Sequence, residues 1–116
     1  PLSAWMGPKN LEEMQQFADR ENIKFDEKKL EDFLNINNPL RIIDQMDTKD
    51  LNTVRWFIDC GDDDFLYEGN SLMHIKMRDK KVNHEFRIRD GGHSWTYWRT
   101  ALPDVLSFIS DHFHRR

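Results

Sequence analysis

Between Val54 and Trp98 the sequence passes twice from a strand-like run through a polar turn into a helical pattern, and that repetition limits the chain to a layered α/β arrangement. Val54-Arg55-Trp56-Phe57-Ile58-Asp59-Cys60 is β-branched and aromatic, apolar at almost every position and stopped by Gly61, the pattern of a mostly buried strand. An acidic turn, Asp62-Asp63-Asp64-Phe65-Leu66, follows. A helix is predicted from about residue 70, capped by Asn70 or Ser71, with Leu72, Met73, Ile75 and Met77 inward and His74, Arg78 and Lys81 outward. His84, Phe86 and Ile88 then alternate with Glu85, Arg87 and Arg89, which predicts a strand near a sheet edge. After the Asp90-Gly91-Gly92-His93-Ser94 turn, a last helix over about 95–113 presents Trp98, Ala101 or Leu102, Val105, Ile109 and Phe113 inward, kinked or restarted at Pro103. Strand, helix, strand, helix implies parallel pairing, so the loops after the two strands meet on one rim, where ligand sites of such sheets gather.

The first half is helical in pattern. Asn10 is a helix cap for Leu11, Met14, Phe17 and Ala18, with Glu12 and Glu13 in the first turn; Asp26 caps a second helix through Leu34; Pro39 opens a third, over 39–46. Residues 1–10 read as the tail of a strand and a loop. The whole of 1–116 reads as one domain segment, with a cap-like helical part at 1–50 and the strand-acid-helix-strand-histidine-helix part at 51–116. Its opening, Pro1-Leu2-Ser3-Ala4-Trp5, has no initiator methionine and is read as cut from something longer.

Composition narrows the function classes. A chain of 116 residues with 38% hydrophobic residues, four Trp and eight Phe is too apolar for a disordered segment. A net charge of -4 with acids and bases interspersed argues against a nucleic-acid partner. The single Cys60 excludes an intramolecular disulfide, and no Cys/His spacing for zinc is present, so neither metal nor cofactor is expected. No apolar run reaches membrane-spanning length and no signal-peptide pattern is found, so no membrane partner is expected either; the redox compartment stays open.

What remains is the rim. An acid after one strand and a histidine after the next is the order of the last two members of an α/β-hydrolase triad. Adjacent glycines bend the backbone sharply and present His93 to a cleft, beside which Trp95, Tyr97 and Trp98 are expected to wall an apolar pocket. Residues 56–66 (Trp-Phe-Ile-Asp-Cys-Gly-Asp-Asp-Asp-Phe-Leu) and 91–99 (Gly-Gly-His-Ser-Trp-Thr-Tyr-Trp-Arg) resemble the carboxyl-terminal motifs of the esterase family of α/β hydrolases that includes feruloyl and acetyl-xylan esterases, tributyrin esterases, S-formylglutathione hydrolases and mycolyltransferases. The resemblance covers roughly 51–110, with Pro1-Leu2-Ser3-Ala4 similar to the strand after the nucleophile helix. It implies Asp64 as the triad acid, with Asp63 next if the turn is shifted by one; His93 as the base; and Trp95 and Trp98 beside a small-molecule or carbohydrate ester substrate. The departure is large, because no Gly-x-Ser-x-Gly occurs, and Ser3, Ser71, Ser94, Ser107 and Ser110 lack its glycine context.

The reading is therefore the C-terminal part of an α/β-hydrolase fold, parallel strands with flanking helices but without the N-terminal strands and the nucleophile elbow. On its own such a chain is expected to be inactive, and to self-associate or pair with the missing N-terminal half through an open sheet edge. A rival reading is a noncatalytic α/β interaction or carbohydrate-binding module whose Trp95, Tyr97 and Trp98 form an exposed, coplanar platform. Calcium at Asp62 to Asp64 is disfavoured by the lack of alternating ligands, and His112 and His114 read as a solvated terminus.

Overall fold

The computed structural model describes residues 4–8, 10–24 and 26–114, the side chains of 112 and 114 excepted. Its elements are α1 (Leu11–Arg20), α2 (Glu27–Asn37), α3 (Pro39–Gln45), α4 (Thr48–Leu51), β1 (Trp56–Gly61), α5 (Tyr67–Asp79), β2 (His84–Arg89) and α6 (Trp95–His114). They fall into two compact units, residues 6–53 and the residues up to Trp5 together with those from Val54 onward. The predicted strand tail at 1–3 lies outside the described residues, and 4–8 carry no regular structure.

In the helical unit the starts of α1, α2 and α3 are each set by a side chain that accepts an otherwise unpaired backbone N–H, whereas α4 has no such cap. Asn10 Oδ1 accepts from Glu13 N at 2.8 Å, Asp26 Oδ1 from Lys29 N at 2.8 Å, and Asn38 Oδ1 from Leu40 N at 2.9 Å, where Pro39 occupies the first helical position. The apolar stripes of α1 and α2 meet in a cluster of Met14, Leu30 and Leu34, with Leu11 and Phe17 packed against it. The single turn α4 has no counterpart in the sequence reading, since four residues are too few to display a helical period.

In the other unit β1 and β2 pair in parallel, in register from Trp56 with His84 to Gly61 with Arg89. A parallel pair needs a crossover, and α5 supplies it. Both α5 and α6 pack on β1, which is buried from Phe57 to Gly61, while Arg87 and Ile88 of β2 are exposed. The Phe57 and Phe108 rings join β1 to α6 at 5.2 Å between centroids.

Four details depart from expectation. Helix α5 starts at Tyr67, and Asn70 is a fully buried tie rather than a cap: it accepts from Ala4 N at 3.1 Å and donates to Ala4 O at 2.8 Å and Leu66 O at 2.9 Å. Ile75 and Ile88, expected inward, are 50% and 46% exposed, whereas Met73 and Met77 are buried. Helix α6 runs unbroken past Pro103; the proline's missing N–H falls on an exposed stretch where water can reach the carbonyl it would have bonded. Among the predicted inward residues of α6, Ala101 is buried while Leu102, Ile109 and Phe113 are exposed. No helix among the described residues is long and apolar enough to cross a membrane.

Candidate active site

The two rim loops are stitched together beyond the last ladder pair. Asp62 N donates to Arg89 O at 2.9 Å, Asp63 N to Gly91 O at 2.8 Å, and Gly91 N to Asp62 Oδ1 at 3.1 Å. Glycine is required where the loops touch, since a Cβ on Gly61 would lie 2.2 Å from Gly91 O, which is backbone and cannot swing aside. Gly91 itself has φ +135°, and a Cβ there would meet the Tyr97 ring at 2.8 Å.

This stitching brings Asp64 and His93, 29 residues apart in sequence, to 3.0 Å between Oδ2 and Nδ1. Asp64 is 1% exposed, and its Oδ1 accepts from Leu66 N at 2.8 Å, so the carboxylate is aimed by backbone at the foot of α5. When that carboxylate is ionised, the bond requires the imidazole proton on Nδ1 and leaves Nε2 with a lone pair. A third of the His93 side chain is exposed, and its ring sits between Phe65, 5.0 Å away, and Trp98, 4.7 Å away and edge-on. Asp63, the alternative acid, is exposed and uses its N–H on the opposite loop. Ser94 caps α6, accepting from Tyr97 N at 3.3 Å.

The aromatic wall is smaller than expected. Trp95 is 72% exposed and stands at 88° to Trp98, which is half-buried, so the two make a corner. Tyr97 is not beside His93 at the surface but turned into the core, 5% exposed, its hydroxyl donating to Asp59 Oδ1. A coplanar stacking platform of Trp95, Tyr97 and Trp98 is thus not formed.

Sequence reasoning overlooked the polar cluster behind this turn. Asp59, fully buried on β1, accepts the Tyr97 hydroxyl on Oδ1, while its Oδ2 is an ion-pair neighbour of Arg89 Nη1 at 3.0 Å without hydrogen-bond geometry, and Arg89 Nη2 reaches Asp104 of α6. Burial, reinforced by the hydrogen bond to Asp59, pushes the Tyr97 phenol far above its ordinary value, so it stays a donor. The signal was a lone carboxylate inside an apolar run, since a buried charge has to find a partner. As for metal, Asp62, Asp63 and Asp90 gather within 4.8 Å of one another among the described residues, all three exposed.

No protein-family model matches the chain, and no curated protein matches it. Among solved structures it is similar to a ferulic acid esterase, at 43% identity and a TM-score of 0.61, over 63% of this chain and 29% of that one. The chain therefore spans less than a third of the esterase it matches. Two parallel strands with flanking helices, carrying that degree of identity, make this chain a relative of a ferulic acid esterase, corresponding to part of an α/β-hydrolase chain.

Proposed function

We propose that these residues supply the acid and the base of a serine carboxylic-ester hydrolase, Asp64 and His93, to a nucleophilic serine carried outside this sequence. The observation that carries the reading is the 3.0 Å contact between His93 Nδ1 and a carboxylate that is itself buried and oriented by backbone. In the reaction Asp64 holds the Nδ1 proton and fixes the tautomer. His93 Nε2 takes the serine proton as the hydroxyl attacks the ester carbonyl, and Asp64 stabilises the imidazolium so formed; His93 then returns the proton to the departing alkoxide. Trp95 and Trp98 line the approach to the imidazole on one side and Phe65 on the other, an apolar setting for the acyl or alcohol group. The name of the related esterase points to aromatic acyl esters of the feruloyl type as substrate. The missing nucleophile half is the partner this reading requires.

The test is turnover of a feruloyl or p-nitrophenyl ester by a chain that joins these residues to their nucleophile segment. His93→Ala and Asp64→Asn are each expected to lower kcat by about 10³- to 10⁴-fold with the fold retained by circular dichroism. The isolated 116 residues are expected to show no turnover. Near-parental kcat in either variant would remove that residue from the mechanism.

A further inference from the structure

One side chain touches the supports of both members of the pair. Tyr97, in the first turn of α6, donates to Asp59 on β1, five residues ahead of Asp64. Its ring meanwhile lies against Gly91, two residues ahead of His93, closely enough that a Cβ on the glycine would fall 2.8 Å from Cδ2. Arg89, the last residue of β2, completes the arrangement, with one guanidinium nitrogen on Asp59 at 3.0 Å and the other on Asp104 of α6. Asp59 has no exposed surface, its Oδ1 accepts from the Tyr97 hydroxyl and its Oδ2 is met by the Arg89 charge without a hydrogen bond, so removing the phenol oxygen leaves a buried acceptor that water cannot readily satisfy.

We propose that Tyr97, anchored by Asp59 and Arg89, is a positioning residue for the Asp64–His93 pair, its ring holding the Gly91 turn at the height that puts His93 Nδ1 on the carboxylate. As a statement about catalysis it rests on the esterase reading above. The physical reason it matters is the steepness of positional effects, since a displacement of about 1 Å in a reacting group can cost about a hundredfold in rate. Through its contact with Gly91, Tyr97 acts by way of the backbone that carries His93.

Two readouts separate positioning from general stability. In the 116-residue chain, the His93 Nδ1–H proton is followed by NMR, with its exchange against water as the measure of the bond to Asp64. In the chain joined to its nucleophile segment, kcat and KM are measured for the same ester. Tyr97→Phe, which keeps the ring and deletes the hydroxyl, is expected to speed Nδ1–H exchange and to lower kcat by about ten- to a hundredfold with KM changed less than about twofold. Arg89→Gln is expected to move both readouts in the same direction, and it decides the matter if Tyr97→Phe does not fold. Met77→Ala, a buried cavity-forming change away from the turn, is the control, expected to lower the melting temperature while leaving Nδ1–H exchange in place.

Unchanged exchange and kcat in Tyr97→Phe and Arg89→Gln, with His93→Ala inactive, would overturn the positioning role alone. Equal acceleration of exchange in Met77→Ala would also overturn it, as a generic effect of lost stability. An active His93→Ala would instead remove the esterase reading, while the Nδ1–H signal would still report whether Tyr97 sets the turn.

Discussion

At the scale of single residues, the rim depends on what two glycines lack. Gly61 ends β1 where the opposite loop presses closest, and any side chain would occupy the place of Gly91 O, 2.2 Å from the Cβ position. Since a backbone carbonyl already bonded to Asp63 N cannot yield as a flexible side chain would, Gly61→Ala is expected to destabilise the chain by about 1–3 kcal/mol, read as a lower urea midpoint. It should also loosen the bond between Asp64 and His93. A parental midpoint would mean that the loops have room to part. The sequence made Gly91, Gly92 and His93 conspicuous, but nothing in it marked Gly61 as more than the stop of a strand. Likewise the meeting of Asp64 and His93 was legible because a carboxylate and an imidazole follow successive strands. Tyr97 was misread, because its position beside two tryptophans said aromatic wall, whereas the buried Asp59 decided which way the ring would turn.

At the scale of elements, caps and periodicity located α1, α2, α3, both strands and α6 to within a few residues. The start of α5 was misplaced for a physical reason: Asn and Ser announce caps only when their side chains are free to bend back onto the helix, and Asn70 is occupied by Ala4. That tie is a side-chain amide imitating a neighbouring strand, one acceptor and one donor against a single residue's backbone. Asn70→Ala is expected to cost about 1–3 kcal/mol and to deprotect the Ala4 amide in hydrogen exchange. Retained protection at Ala4 with an unchanged midpoint would show the tie to be dispensable. The apolar stripe of α6 was legible as a stripe but not as a buried one. Twenty residues of helix extend about 30 Å, while a six-residue strand reaches about 20 Å, so the helix outruns the sheet and Ile109 and Phe113, in its last turns, remain exposed.

At the scale of the whole molecule, stability acquires a pH dependence that no single motif announced. His74 of α5 and His84 of β2 approach at 2.7 Å between Nδ1 and Nε2, and His84 Nδ1–H donates to Val82 O at 2.8 Å, so His84 Nε2 is the acceptor and His74 Nδ1–H the donor. A proton added on His84 Nε2 would set two donors face to face and break the bond. Burial first, then the facing His84 and Arg78, lower the His74 pKa below its ordinary 6.5. A group held less protonated in the folded than in the unfolded chain gives stability that is complete above pH 6.5 and is lost as pH falls from there through the depressed value. Urea midpoints should therefore fall between pH 7.5 and about 5, and His74→Gln should flatten part of that slope. Equal slopes in parent and variant would assign the loss to other groups. From sequence, His74 stood on an outward face and His84 on an alternating strand, and only the crossover that pairs β1 with β2 makes them neighbours.

The stitched loops carry one more implication. Because the loops that carry Asp64 and His93 are bonded to each other just past the paired ends of β1 and β2, the crossover from Tyr67 to Asn83 works as a tether and not as a gauge. Evolution can therefore lengthen, shorten or re-clothe that tether, and change what the surface offers to a visitor, while the distance between carboxylate and imidazole stays where the strand register put it.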